Sequence, residues 1–343
     1  MPENFEKLLA DYDYQFPQSA VALEPASPRD SAKLLICNRT KGSVRHDTFR
    51  HLSKYLPPKS LIVFNETKVV PARLIVTKPT GGRAEILYIG QQNGLIQVMA
   101  DRRFQIGARL QLHGDVYFIV ESQKEKYYFL RPSFPIKKLF SILEKYGQTP
   151  LPPYLRKTSL KGKALQEKYQ TVFARERGSV AAPTASLHFT PHLLKDLQKS
   201  GHEIVFVTLH VNLGTFAPLT PEHVASGRLH EEYYEVPPQT ASAIRRAKTQ
   251  GRAVIAVGTT VARTLESAQF DKKSISGQTS LFILTGHRFH VVDGLITNFH
   301  VPKSSLLMLV AALVGREKLL ELYSQAIAKK YRLFSFGDGM LIV

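Results

Sequence analysis

The sequence predicts an α/β main domain with a smaller all-β, barrel-like domain inserted into it, and three observations carry that expectation. Between Arg73 and Pro132 short apolar runs recur at roughly the 8–12-residue rhythm of a small barrel or sandwich. Beyond Thr190 helical patterns alternate with strands that are apolar on both faces, as in a sheet covered by helices. Two more apolar runs, Leu34–Cys37 and Leu61–Phe64, precede the β-rich stretch. The residues alone leave open whether these early runs join the later sheet. If they do, the α/β domain comprises 1–68 and 150–343, and 69–149 is the insertion.

From Lys33 to Pro71, the runs LLIC and LIVF alternate with the turn residues NRTKG and PPKS, which predicts strands between tight loops. RLIVT, AEILYIG, LIQVMA, RLQLHG, VYFIVES and YYFLRP follow as barrel strands. Ile136–Tyr146, IKKLFSILEKY, has helical apolar spacing, and GQTPLPPY after it is a proline-stiffened exit from the β-module. PHLLKDLQKSG then leads into the strand HEIVFVTLHV, and TASAIRRAKTQG into AVIAVG. A final helical pair, SSLLMLVAALVG and REKLLELYSQAIAKKY, precedes LFSFGDGMLIV.

Composition narrows the function. The 343 residues carry 46 Lys+Arg against 28 Asp+Glu, a formal charge of +18, which suits a polyanionic partner through counterion release. The single cysteine, Cys37, excludes an internal disulfide, and no CxxC or Cys/His ladder offers a zinc site. The opening MPENFEKLLADYDYQF is acidic where a signal peptide is basic and then apolar. Ser305–Val314 is about half of the ~20 apolar residues that a membrane helix needs. The expectation is a soluble, cytoplasmic, monomeric protein with no membrane partner and no metal.

Polar residues crowd the ends of the later strands. Thr184, Ser186 and His188 precede a helix start at Thr190-Pro191, either as a histidine presented beside an anion site or as an ordinary N-cap with a buried imidazole. His210 falls inside an apolar run, where it needs a partner and suits a general base or an orienting group; Gly214 and Thr215 follow. HEEYYEV gathers His230, Glu231, Glu232, Tyr233 and Tyr234 for acid/base work and base stacking, or as a solvated acidic loop. Gly258-Thr259-Thr260 forms a small-residue turn into a helix bearing Arg263 and Glu266, suited to an anion although it is no Walker A or GxGxxG motif. Asp293, Asn298, His300, Lys303 and Ser304 lie between apolar anchors, and Arg332 and Asp338 flank FSFG. Arg73 meets either a phosphate or a surface carboxylate.

Seven blocks in one order, VFNETKVVPARL, YQTVFARERGSVAAPTASLHFT, VTLHVNLGTFAPL, LHEEYYEVP, VGTTVARTLES, VVDGLITNFHVPKSSLLMLV and YRLFSFGDGMLI, closely resemble the S-adenosylmethionine:tRNA ribosyltransferase-isomerases of queuosine biosynthesis, from about Asp13 onward. The resemblance implies transfer and isomerisation of the ribosyl part of S-adenosylmethionine onto 7-aminomethyl-7-deazaguanine at the tRNA wobble position. Epoxyqueuosine-tRNA forms, adenine and methionine leave, and S-adenosylmethionine is a consumed co-substrate, so no cofactor is expected. It also implies an α/β domain with a smaller β-barrel. The chain departs from the family pattern at Asn212 (usually Gly), Ala217 (Arg) and His287 (Tyr). Loss of the arginine at Ala217 removes an anion contact.

Under this resemblance the sulfonium acidifies the adjacent ribose methylene, and deprotonation there starts adenine departure, ring opening and attack by the aminomethyl nitrogen. His188, His210 and His230 are expected as acid/base and orienting groups, with Glu232 and Asp338 setting imidazole charge or holding the amine. Gly258, Thr259, Thr260, Arg263, Glu266 and Asn298 are assigned to S-adenosylmethionine and the deazaguanine. Arg73, Arg156 and Lys303 are assigned to tRNA phosphates, and Tyr233 and Tyr234 to base stacking. The other readings are an RNA-binding module without catalysis and a methyltransferase, which the lack of an early strand-GxGxG turn opposes. A hydrolase is opposed by the absence of GxSxG.

Overall fold

The computed structural model describes residues 3–212, 218–271 and 275–343; Gly214, Thr215 and Ala217, singled out above, lie outside the described residues. The chain begins with α1 (Glu3–Asp11), β1 (Lys33–Asn38), β2 (Ser43–Thr48), a 3₁₀ segment over Phe49–Lys54, β3 (Leu61–Asn65) and β4 (Thr67–Val69). Six strands follow: β5 (Arg73–Thr77), β6 (Arg83–Gln92), β7 (Leu95–Ala100), β8 (Arg109–His113), β9 (Val116–Lys124) and β10 (Tyr127–Pro132). After α2 (Leu139–Tyr146), α3 (Gly162–Lys168) and β11 (Glu176–Ser179) come α4 (Pro191–Lys199), β12 (Glu203–Leu209), α5 (Pro221–Ser226), β13 (Arg228–Val236) and α6 (Pro238–Thr249). The chain continues through β14 (Val254–Val257), α7 (Thr259–Ser267), β15 (Ile275–Leu281), β16 (Gly294–Asn298), α8 (Ser305–Val314), α9 (Arg316–Ala328) and β17 (Gly339–Ile342).

Strands β5 to β10 close into a barrel of order β10-β7-β6-β5-β8-β9. Alternation explains its filling: Leu74 and Val76 of β5, Ile86 of β6, Ile96 and Val98 of β7, and Phe118 and Val120 of β9 point inward. Leu139 and Leu143 of α2 pack onto the same core.

The other large sheet has nine strands, in the order β15-β13-β12-β3-β14-β16-β17-β1-β2. Its centre is parallel, β12 with β3, β3 with β14 and β14 with β16, while β17 runs antiparallel to β16. The double-sided apolar runs now have their reason. Leu61 and Val63 face α6, α7, α8 and α9, whereas Ile62 and Phe64 face the Phe49–Lys54 segment and α4. Helix α8, the most apolar segment, is buried in the first of these cores, and no helix among the described residues is long and apolar enough to cross a membrane.

The barrel's entry and exit run side by side. Arg73 and Gln148 exchange backbone hydrogen bonds of 3.1 and 2.8 Å, and a Cβ on Gly147 would lie 1.9 Å from the Pro71 carbonyl oxygen. Strands β4 and β11 form a separate parallel pair.

Candidate active site

Because β3, β12, β14 and β16 run the same way, their C-terminal ends bring Asn65, Leu209, Val257 and Asn298 to one edge, where open α/β sheets bind ligands. A cleft of about 470 Å³ opens there. Its walls include Tyr154, Thr184, Gly258, Thr259, Thr260 and the run Thr297–Leu306. Two helices start on it. Gly258, at φ +97°, turns β14 into α7, a conformation few other residues adopt; Ser304 caps α8, accepting from the Leu307 amide at 3.3 Å. Both helix N-termini present amides and positive dipole ends to the cleft, together with Lys303, whose Nζ lies 3.1 Å from Asp13 Oδ2.

Gly258, Thr259, Thr260 and Asn298, assigned to S-adenosylmethionine and the deazaguanine, and Lys303, assigned to a tRNA phosphate, are therefore brought together on one cleft, whereas Arg263 and Glu266 are not part of its wall. His188 lies behind the wall. It is 5 % exposed, stacks on Phe49 at 4.0 Å between ring centroids, and approaches the Asn298 amide nitrogen at 3.4 Å. Burial, then Arg332 and Arg29, lowers its pKa to about 3, so the imidazole is neutral at physiological pH.

The run containing His210 ends sooner than its hydropathy suggests, and β12 stops at Leu209. His210 is half-buried just beyond the strand, with Nδ1 2.8 Å from the Thr67 hydroxyl and its ring stacked on Tyr233. Its Nε2 has no hydrogen-bond partner among the described residues, and burial lowers its pKa. His230 sits in β13, not in a loop. Its Nε2 accepts from Lys126 Nζ of the barrel at 3.4 Å, and His223 packs edge-on at 4.7 Å. Burial, Lys126 and His223 all lower its pKa.

Three carboxylates of the sequence assignment are engaged in holding the fold. Glu232 is buried in an ion pair with Arg263 and accepts from the Asn212 amide at 2.9 Å. Arg263 also donates to the Leu281 carbonyl at 3.0 Å, so this pair ties α7 to β13 and β15. Glu266 accepts from the amides of His290, Val291 and Val292, and is absent from the cleft wall. Asp338 accepts from the amides of Lys33 at 2.9 Å and Arg332 at 2.8 Å, and fixes the entry to β17.

The strand alternation separates the two tyrosines. Tyr233 is 42 % exposed, but Tyr234 is 8 % exposed, turned into the core with its hydroxyl donating to the Ser267 carbonyl, so it offers no face to a base. Arg73 pairs with Glu85, Nε to Oε1 3.3 Å, which favours the surface-carboxylate reading; Arg156 is exposed two residues beyond Tyr154 on the cleft rim. Of the departures, Asn212 uses its backbone on Glu232, and His287 Nε2 is 3.7 Å from Glu266.

The structure adds wall residues outside the assigned set. Tyr154 and Ser335 share a hydroxyl contact of 2.8 Å, burial pushes the Tyr154 phenol up to about 12, and the Phe334 ring packs on Tyr154 at 5.0 Å. His300 stands out in its run of sequence without a role assigned to it; its Nε2 meets the Thr297 hydroxyl at 2.8 Å, and burial lowers its pKa to about 3. The PLPP run around Tyr154 signals a rigid connection, whereas its place on the cleft is a tertiary fact. Among the described residues no cluster of three or more His, Cys, Asp or Glu is placed to hold a metal.

A family model described as queuosine biosynthesis protein matches residues 9–342. The chain belongs to this queuosine biosynthesis family. It is 46 % identical to the S-adenosylmethionine:tRNA ribosyltransferase-isomerase of Carboxydothermus hydrogenoformans, over 98 % of this chain and 99 % of the relative. The protein of the same name from Aquifex aeolicus is 42 % identical over 98 % and 99 %. The crystal structure of S-adenosylmethionine tRNA ribosyltransferase from Thermotoga maritima is 32 % identical, covers 97 % of this chain and all of its own, and superposes with a TM-score of 0.57.

Proposed function

We propose that this member of the queuosine biosynthesis family is an S-adenosylmethionine:tRNA ribosyltransferase-isomerase. It moves the ribosyl moiety of S-adenosylmethionine onto 7-aminomethyl-7-deazaguanine at the tRNA wobble position, giving epoxyqueuosine-tRNA, adenine and methionine. The observation that carries the reading is family membership over residues 9–342, with relatives of that name aligned nearly end to end. The site is compatible with it: a largely apolar cleft at parallel strand ends, two helix N-termini for an anionic group, and a chain of charge +18 for tRNA.

In this reading S-adenosylmethionine is consumed and no resident cofactor is needed. The two helix starts hold a carboxylate or phosphate, and the apolar walls exclude water from reactive intermediates. His210, which is not itself in the cleft wall but adjoins the wall residue Val211, has its pKa lowered by burial and an Nε2 unpartnered among the described residues, and is our candidate for taking the ribose methylene proton. Glu232, Glu266 and Asp338 position backbone amides and Arg263 around the site. Tyr233 stacks on the wobble base, and Arg156 and Lys303 meet phosphates. The chain acts as a cytoplasmic monomer. Its α/β domain comprises 1–68 and 150–343 and the barrel 69–149 is inserted, a division supported by β1 to β3 sharing a sheet with β12 to β17.

Mass spectrometry of a reaction with S-adenosylmethionine and tRNA bearing the aminomethyl-deazaguanine tests this. Adenine and methionine release with a ribosyl-derived mass gain on the tRNA is expected. Tight tRNA binding with unchanged mass would support an RNA-binding module instead, and S-adenosylhomocysteine would indicate a methyltransferase.

A further inference from the structure

Two asparagines end strands that flank β14, and they are treated differently. Asn65, fully buried at the end of β3, satisfies both arms of its amide. Nδ2 donates to the Leu209 carbonyl at 2.9 Å, and Oδ1 accepts from the amides of Thr67 and Leu209 at 3.1 Å each. It is a structural staple. Asn298, 2 % exposed at the end of β16, satisfies only one arm: Nδ2 donates to the Phe334 carbonyl at 3.0 Å, while Oδ1 has no partner among the described residues. A buried acceptor left unpaired is destabilising unless something else pairs with it, and Asn298 is part of the cleft wall.

The direction of this amide is fixed by chemistry. A carbonyl only accepts, so the atom facing the Phe334 carbonyl oxygen is the nitrogen, and the free arm is an acceptor. The same carbonyl also accepts from the Gly337 amide at 3.0 Å, and Phe334 holds φ +71°, a left-handed conformation that is costly for a bulky residue. His188 Nε2 lies 3.4 Å from the same Nδ2 with its ring against Phe49, so an imidazole accepting there reinforces the orientation. A ligand that reaches this arm must therefore bring a donor.

We propose, resting on the function given above, that Asn298 Oδ1 accepts from the 6-amino group of the adenine of S-adenosylmethionine and selects that purine, with His188 as a positioning residue acting through Asn298. A flat heterocycle carrying an N–H donor is the chemistry recognised, and both adenine and the tRNA deazaguanine have one. The enclosed aromatic surroundings, with Phe334 packed on Tyr154 and Phe299 in the same wall, suit the free small molecule that enters whole. The adenine is also the leaving group, so an acceptor on its amine holds the base in place as the glycosidic bond breaks.

The test is equilibrium binding of S-adenosylmethionine and of its analogue with hydrogen in place of the 6-amino group, to wild type, Asn298→Leu, Asn298→Asp and His188→Phe. Wild type prefers the amino ligand by roughly tenfold or more. Asn298→Leu loses the preference, Asn298→Asp keeps it with the carboxyl protonated, its O–H donating to the Phe334 carbonyl while the other oxygen still accepts, and His188→Phe narrows the ratio; a purely structural role for His188 would weaken both ligands equally. Equal affinity of wild type for the two ligands, which needs no variant to fold, overturns the proposal, as does a preference that survives in Asn298→Leu. If Asn298→Leu weakens free 7-aminomethyl-7-deazaguanine and spares S-adenosylmethionine, the donor belongs to the tRNA base and the adenine assignment falls. Failure of wild type to bind S-adenosylmethionine at all removes the proposed function and this inference together, whereas unselective binding removes this inference alone.

Discussion

His188 and His300 are buried and uncharged, and their pKa values of about 3 make them acid sensors of the folded state. An unfolded histidine titrates near ~6.5, so below that pH the unfolded chain takes up protons that the folded chain refuses. Stability is fully present above pH ~6.5 and falls toward pH 3, by at most about 1.4 kcal/mol per pH unit for each histidine. Urea midpoints at pH 7 and pH 5 check this: a His300→Asn variant should show a smaller drop than wild type, and an equal drop would refute the assignment. The buried Arg263–Glu232 pair gives a second prediction. Arg263→Ala leaves a carboxylate buried without its guanidinium and should cost about 3–5 kcal/mol of stability. A loss under about 1 kcal/mol would mean that water or another cation replaces the arginine. Part of the cleft wall was legible at this scale, because Thr259, Thr260, Asn298 and Lys303 at strand ends stood out against apolar runs. Their orientation was not: Tyr233 and Tyr234 read alike in sequence, and only the pleat of β13 sends one to solvent and the other to the core.

Among the elements, the segment between the barrel and β11 carries the strongest expectation about tRNA. Arg156, Lys157, Lys161 and Lys163 are exposed within a few residues of Tyr154 on the cleft rim. Replacing the three lysines by Gln should weaken tRNA binding and reduce the slope of log affinity against log salt by about 0.7–0.9 for each phosphate no longer neutralised, leaving S-adenosylmethionine affinity unchanged. An unaltered slope would place the RNA elsewhere. Tyr233→Ala should raise the KM for tRNA by roughly tenfold, consistent with loss of about 1–3 kcal/mol of base stacking, while substrate-free stability stays near that of wild type. All six barrel strands were legible because alternation and turn residues agree over short range. Helix α1 and the β4–β11 pair were not: α1 hides in an acidic opening segment, and β4 and β11 are three and four residues whose pairing depends on partners more than a hundred positions away.

For the whole molecule, the antiparallel passage of the entry and exit segments at the barrel's root is the decisive contact. A methyl group on Gly147 collides with the Pro71 carbonyl, so Gly147→Ala should force the two strands apart and destabilise the protein by about 1–3 kcal/mol. Proteolysis should then cut at the junction; native-like resistance would show that the backbones separate freely. The two architectures were legible from periodicity, but the strand order was not, since nothing local in LLIC or LIVF says which later strand lies beside it. That order has a consequence for biosynthesis. Strand β17 lies between β16 and β1, so among the described residues β1 and β2 join the rest of the sheet only through a strand made about three hundred residues after them. The barrel has all its strands once Pro132 is made and can form early, whereas Leu34–Cys37 must wait, apolar and unpaired on one edge, for about three hundred further residues. The nascent chain therefore carries a sticky edge while all the residues between β1 and β17 are made, and chaperone demand during synthesis follows from the position of one four-residue strand.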